Sequence, residues 1–496
     1  MRARFVGARA APALVVLLGL LAVPGAAAPE PPAAWPILGV DPLKQGTMME
    51  DHACALRHWV EQGISDAVLL HIDTHDDFRT LRPGVAESLN SLRAHADLPS
   101  LTPAGCGGTS DLFNEGNFVR AAVALGVVKE VVWVVPFTFL SETDAGDRLQ
   151  RYLRQAGFSA VERESFRLAD GFYRGVVANV PLTICVQEHL PHLGESILLS
   201  IDADFFPFAA FYRGFTALSE IRALFSALRE ARYAVRDVVL SYSVQDGYLP
   251  VGLRWIGEAV VELLRDPSLV QSKDPPERWK ALQQLALLKT RGEKGEAELL
   301  DRALELLANQ PHDPALLLYA AEAVVRHGGD EKALTYAVEA CKIEKGYCVG
   351  LREIGLQLLE RGNFAAGSLF FAAGDRLLPG MRYGQLDKGM ALVKIGRTSE
   401  AMEIFEEINA RAGAFPVGFV IGALQELAGD RKAARLSFDK ALAVVESSPY
   451  ISVTHLEIEE AVKRAAAFYR EEGLFREAGL LENDSRLRMN NAGEGL

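Results

Sequence analysis

The run Val68-Leu69-Leu70-His71-Ile72-Asp73-Thr74-His75-Asp76-Asp77 carries an apolar β-strand straight into a cluster of acids and imidazoles, and Ile197-Leu198-Leu199-Ser200-Ile201-Asp202-Ala203-Asp204-Phe205-Phe206 repeats the pattern further along. Side chains alternate along an extended segment, so Asp73, His75 and Asp77 project to one side, Thr74 and Asp76 to the other, and Asp202 and Asp204 share a face. Four carboxylates gathered in one pocket repel each other, and some would stay protonated unless a polyvalent cation supplied the compensating charge. The pattern therefore predicts a metal site, with more than one ion.

Around these runs, residues 36–270 alternate short β-branched stretches with amphipathic helical ones, which predicts an α/β domain built on a parallel sheet with helices on both faces. The expected strands include Ala67–Ile72, Glu130–Val135, Ile197–Ile201 and Asp237–Ser241. Ligands bind beyond the carboxyl ends of such strands, where both acidic clusters sit.

A polar, proline-containing linker at 271–276 leads into a second, all-helical domain at 277–490. There Ala321, Gly355, Gly389 and Gly422 recur at spacings of 34, 34 and 33, and Gly328, Gly362, Gly396 and Gly429 each follow by seven. Ala333, Ala401 and Ala434, with Phe371, Phe405 and Phe438, extend the register. The small residue is expected to let two helices approach, the glycine to turn the chain, and the Ala and Phe of the second helix to fill the gap. This pattern resembles the tetratricopeptide repeat (TPR) over 313–449, with Pro379 ending one unit. Residues 279–310 read as a preceding repeat and 451–488 as an irregular terminal pair that caps the solenoid. Such a solenoid is expected to take a protein or peptide partner.

The 496 residues carry a formal net charge of −13, which argues against nucleic acid and anionic membrane surfaces as partners. Residues 1–28 read as a secretory signal peptide, with Arg2, Arg4 and Arg9 before the apolar run Ala11–Val23 and the small residues Gly25–Ala28. That run is too short for a comfortable membrane span, so an exported protein, periplasmic or secreted, is expected, with 29–35 as a Pro/Ala leader. Five cysteines, Cys54, Cys106, Cys185, Cys341 and Cys348, are too scattered for a disulfide scaffold. Cys341 and Cys348 are candidates to pair in an oxidising compartment, but buried small hydrophobes are the expected role.

The acidic clusters resemble the arginase/deacetylase superfamily, in which an Asp-x-His-x-Asp strand end and a later Asp-x-Asp strand end hold two Mn2+ ions. In Met49-Glu50-Asp51-His52, His52 stands 21 residues before Asp73 and matches the further histidine ligand of the ureohydrolase branch. The likeness is more specific to the UPF0489 family, whose phrases EDH, HIDxHxDL and DIDxDFF are similar to the runs here, and some of whose members act as peptide arginases. The resemblance implies a three-layer α/β/α arginase-like domain and a metal set of His52, Asp73, His75, Asp77, Asp202 and Asp204. It further implies hydrolysis of a guanidinium or amide C–N bond in a small molecule or peptide, with peptidyl-arginine going to ornithine and urea as the specific case. Asp76 is an acid that the pattern lacks, and the Gly-Gly-Asp-His phrase of arginases does not precede His52. Two ions about 3.5–4 Å apart would lower the pKa of a bridging water. Oxygen-rich ligation favours Mn2+, with Fe2+, Co2+ or Zn2+ as substitutes.

Asp246 follows the last expected strand, where a ureohydrolase places the acid that holds a substrate guanidinium; the bland reading is a turn-forming Asp before Gly247. His71 shares parity with Asp73 and His75, which suits either a substrate-side or supporting role or a packed core histidine. Asn114, Glu115 and Asn117 fall on a polar loop that is either a rim over the site or simply solvated. His189 and His192 stand between prolines and are a weak candidate for an extra metal site. No serine elbow, Walker loop or dinucleotide fingerprint occurs, which sets aside covalent catalysis and nucleotide binding. Two alternatives stay open: a deacetylase-like zinc amidase, and a non-catalytic TPR scaffold with a structural metal site.

Overall fold

Apolar, β-branched runs join into one sheet in this computed structural model, which describes residues 48–484 and 487 apart from 95–96, 104–105, 107, 109, 111, 137–144, 246, 271, 273, 380–383, 412–416 and 448–455. The expected signal peptide and leader lie outside the described residues. The strands are β1 (Met48–Met49), β2 (Ala67–Ile72), β3 (Val128–Val134), β4 (Arg167–Ala169), β5 (Phe172–Val177), β6 (Val180–Cys185), β7 (Ile197–Asp202) and β8 (Val235–Ser241). Their order is β1-β8-β7-β2-β3-β6-β5-β4. At the centre Leu70 lies between Val132 of β3 and Leu199 of β7, both in parallel register. Every residue of β2 and β7 is buried, so both faces of the sheet are covered there, which explains why these strands read as unbroken apolar runs.

The expectation of a parallel sheet holds from β1 through β8, β7, β2 and β3 to β6 and needs correction at one edge. β4, β5 and β6 pair antiparallel. Two short turns make this ribbon: Asp170 and Gly171 have φ of 54° and 81°, and Ala178 and Asn179 have φ of 48° and 65°. Paired positive φ values match the twist of a two-residue hairpin.

One face of the sheet packs Leu69, Val131, Trp133, Leu198 and Val239 into a core shared with the helices Cys54–Glu61, Val85–Ala94 and Phe118–Ala124. After β7 the helices Phe205–Arg213, Ala217–Ala231 and Trp255–Arg265 pack on one another in succession.

From Glu277 onward the chain is helical hairpins. Consecutive helices pair as Glu277–Lys289 with Glu293–Asn309, Pro314–Arg326 with Asp330–Ile343, Val349–Glu360 with Phe364–Leu377, Gln385–Lys394 with Thr398–Arg411, Val417–Leu427 with Arg431–Ser447, and Leu456–Glu471 with Phe475–Asn483. The repeating small residue acts by closeness: a Cβ at Gly355, Gly389 or Gly422 would stand 3.0, 2.4 or 2.5 Å from the ring of Phe371, Phe405 or Phe438. The turn glycines Gly328, Gly362, Gly396 and Gly429 all have φ between 78° and 86°. The third hairpin ends at Leu377, before Pro379.

The cysteine expectation is overturned for four of the five residues. Cys54 is bonded to Cys106 and Cys341 to Cys348, leaving Cys185 free and buried. Fifty-two residues separate the first pair, and only the fold brings them together.

Candidate metal centre

Between β2 and β7 the chain changes direction across the sheet: from β2 it runs to β3 on one side and later returns to place β7 on the other. A crevice opens at the carboxyl ends of strands at such a switch point. Asp73 follows β2 and Asp202 closes β7, so both acidic runs empty into that crevice. His52 arrives from the turn after β1, which parallel pairing with β8 aligns with the same end of the sheet.

Nδ1 of His52 lies 3.0 Å from Asp73 Oδ2, 3.2 Å from Asp202 Oδ2 and 3.3 Å from Asp77 Oδ2. One nitrogen cannot serve three carboxylate oxygens with one proton. Such spacings would suit donors grouped around one divalent cation, whose ligands at about 2.1 Å stand about 3 Å apart. His71 Nε2 stands 3.4 Å from Asp73 Oδ2, and His75 Nδ1 stands 3.1 Å from Asp204 Oδ2 and 3.6 Å from Asp73 Oδ1. Atoms that could hold a metal ion thus gather in two triads, His52/His71/Asp73 and Asp73/His75/Asp204, which share Asp73. His71 thus lies beside the candidate ligands, 3.4 Å from Asp73 and 3.7 Å from Asp77.

Burial makes the cluster costly without a cation. Among the described residues, His52 Nδ1, both ring nitrogens of His71, Asp73 Oδ2 and both carboxylate oxygens of Asp204 are buried without a hydrogen-bond partner. Each such atom costs about 1–3 kcal/mol or more when charged. Burial pushes the Asp204 carboxyl up to about 7, with the Asp202 charge adding and His75 opposing. Asp77 is also raised, by burial and then by the Asp73 charge. His71 is driven down to about 3 by burial. Burial alone would lower His52 too, but the carboxylates of Asp202, Asp73 and Asp77 that face its Nδ1 outweigh it and raise the imidazole. These residues, hard oxygens with three imidazoles, fit a pair of divalent ions.

Supporting groups fix the donors. Ser200 Oγ pairs with His52 Nε2 at 2.8 Å, leaving Nδ1 to face the carboxylates. Asp73 Oδ1 accepts from the His75 N–H at 2.7 Å, Asp202 Oδ1 accepts from the Asp204 N–H at 3.0 Å, and Ser243 Oγ donates to Asp202 Oδ2. Trp133 Nε1 donates to the Asp73 carbonyl at 3.0 Å, and the Phe118 ring centroid lies 4.8 Å from that of His52. Asp77 and Ser243 have φ of 48° and 49°, left-handed strain at the site itself. Asp76 is engaged elsewhere, accepting from the Phe78 N–H and from Tyr152.

At the mouth, the ring centroids of Tyr248 and His75 are 5.0 Å apart, and Tyr248 Oη donates to Glu115 Oε1 at 3.4 Å. This puts Glu115 of the polar loop at a rim. Asp246 lies outside the described residues. The His189 ring packs on Phe172 with centroids 4.3 Å apart, and among the described residues neither it nor His192 joins a metal-holding group. A third trio, Asp51, Cys54 and Cys106, is accounted for by the disulfide. Sequence reasoning passed over Ser200, Ser243, Trp133, Tyr152 and Tyr248. Only Ser200, on the same strand as Asp202 and of matching parity, carried a usable signal.

No protein-family model and no curated protein matches the chain. Among solved structures, MamA from Desulfovibrio magneticus is similar at 18% identity, covering 34% of this chain and 90% of that one with a TM-score of 0.25. A tetratricopeptide repeat protein from Parabacteroides merdae is similar at 14% identity, covering 49% of this chain and 95% of that one with a TM-score of 0.28. No helix among the described residues is long and apolar enough to cross a membrane.

Proposed function

We propose that this chain is an exported, dinuclear-metal hydrolase of arginase-like type, with a three-layer α/β/α domain over 36–270, that cleaves a guanidinium or amide C–N bond, and that peptide-borne arginine is its substrate class. The observation that carries the reading is the pair of candidate ligand triads, buried apart from the partly exposed His75, joined through Asp73 at the switch point between β2 and β7. His52, His71, Asp73, Asp77 and Asp202 would hold one ion, and Asp73, His75 and Asp204 the other. Two divalent ions there, Mn2+ by preference, supply Lewis-acid polarisation and a water acidified to near neutral pH.

The chain's own groups do the rest. Ser200 orients His52, Ser243 and the Asp204 N–H orient Asp202, and Phe118 closes the apolar side against water. Glu115 beside Tyr248 offers an anionic rim to a cationic substrate group. A one-zinc amidase fits less well, because a single ion leaves one of the two triads uncompensated. The disulfides Cys54–Cys106 and Cys341–Cys348 support export to an oxidising compartment. A protein or peptide partner on the outer TPR-like hairpins belongs to the same reading, since stacked hairpins present a continuous side-chain surface.

The test is urea release from arginyl peptides, free arginine and agmatine by Mn2+-loaded protein. Urea from the peptides, abolished by chelation, is expected. Full metal occupancy with no C–N hydrolysis would instead assign a structural metal centre.

A further inference from the structure

The first helical hairpins already hold a segment, the chain's own turn Val251–Leu253 with its flanks. Tyr319 Oη donates to the Gly252 carbonyl at 2.7 Å, and Glu353 Oε1 accepts from the Val251 N–H at 2.9 Å. Lys289, paired with Glu322 at 2.6 Å, stands beside Gly252, where an added Cβ would meet its Nζ at 3.2 Å. These are main-chain contacts of the kind a repeat groove makes to a bound peptide. Three hairpins contribute, through Lys289, Tyr319 and Glu322, and Glu353.

The turn ends in Arg254, only 3% exposed although charged. Its guanidinium lies 3.8 Å from the Tyr242 ring centroid and 5.5 Å from that of Tyr347, and bonds Glu50 at 2.5 Å and Glu258 at 3.4 Å. The Lys345–Cys348 turn closes over it, and Gly346 is needed there because a Cβ would sit 2.0 Å from Arg254 Nε. Tyr347 Oη donates to Glu258 at 2.7 Å, completing the enclosure. Glu50 directly precedes Asp51 and His52, while Tyr248, just upstream of the turn, meets His75. Arg254 thus holds the residue two places before His52 of the first triad, and the segment begins one residue after the Tyr248 that meets His75 of the second.

We propose that the helical repeats bind segment 249–254 as a resident internal ligand, and that Arg254, acting through Glu50, is a positioning residue for His52. The inference rests on the reading of His52 as a metal ligand. It makes the repeats part of the metal site's scaffold and leaves only the later hairpins open to an outside partner.

The full mature chain is titrated calorimetrically with Mn2+ alone. Arg254→Gln and Glu50→Gln should each weaken Mn2+ binding by about tenfold, the loss typical when a group supporting a ligand is removed. Arg254→Lys should recover part of the loss, and the double variant should be no worse than the worse single. Unchanged affinity in folded variants of a metal-binding wild type overturns the positioning role and leaves the metal reading standing. A wild type that binds no Mn2+ overturns both. Should the variants not fold, hydrogen exchange of the wild type decides: Mn2+ should slow exchange in 249–254 and 343–353 and leave 417–447 unchanged. Slowing confined to the ligand loops around residues 52, 73 and 202 rejects the proposal.

Discussion

Asp73 Oδ2 lies 3.0 Å from His52 Nδ1, and the other oxygen of the same carboxylate faces His75 at 3.6 Å. One side chain thus bridges two clusters of donors. Asp73→Asn should therefore abolish both metal positions, whereas Asp204→Asn, which touches only the second triad, should leave one. Electron paramagnetic resonance of Mn2+-loaded protein reads this directly, as a coupled pair in the wild type, an isolated ion in Asp204→Asn and no bound ion in Asp73→Asn. Equal occupancy in the two variants contradicts the shared ligand.

Buried carboxylates at Asp77 and Asp204 are held above their ordinary range by burial and by neighbouring carboxylates, so a cation should stabilise the fold. At 100 times its dissociation constant, Mn2+ should add about 2.7 kcal/mol per independent site. Thermal unfolding with Mn2+ and then with a chelator should show a rise that the chelator reverses. An unmoved midpoint counts against the site.

Burial holds the Glu353 carboxyl up at about 7, against the opposing Val251 N–H, with the Glu322 charge adding. The native state keeps a proton that the unfolded chain releases in the ordinary carboxylate range. Its contribution is therefore present at low pH and lost as pH climbs toward 7. Glu353→Gln should flatten that decline by roughly 1–3 kcal/mol between about pH 5 and 7.5, measured by urea unfolding of metal-free protein. Parallel pH slopes for variant and wild type would refute this.

Fifty-two residues separate Cys54 from Cys106, so this disulfide should contribute about 4 kcal/mol by restricting the unfolded chain, against about 2 kcal/mol for Cys341–Cys348 with its separation of seven. Cys54→Ala with Cys106→Ala should accordingly lower the unfolding midpoint more than Cys341→Ala with Cys348→Ala. The reverse order contradicts the loop-length argument.

Gly389→Ala sets helix propensity against packing. Propensity alone favours alanine by about 1 kcal/mol, but the new methyl would sit 2.4 Å from the Phe405 ring, where overpacking costs about 1–3 kcal/mol. Net destabilisation is expected in chemical denaturation. A stabilised variant would show that the hairpin opens freely.

The parallel core of the sheet and the helical hairpins were legible because each rests on local periodicity. β2 and β7 are apolar at every position, and the glycine and phenylalanine register repeats along the chain. Acid and imidazole types at the strand ends, together with alternation, also marked Asp73, His75, Asp202 and Asp204. The antiparallel edge was signalled only weakly, by Asp170-Gly171 and by Asn179, since Ala178 does not favour positive φ. The Cys54–Cys106 bond, the Ser243 contact to Asp202 and the Arg254 enclosure depend on contacts between distant segments, which no local pattern encodes. His71 was ambiguous because parity places it on the ligand side but does not tell how far it reaches.

The most direct test of the central claim is elemental mass spectrometry of the chain without residues 1–28 after Mn2+ loading and desalting. Two ions per chain are predicted. No retained metal would contradict the account at its root, and a single ion would break the link through Asp73.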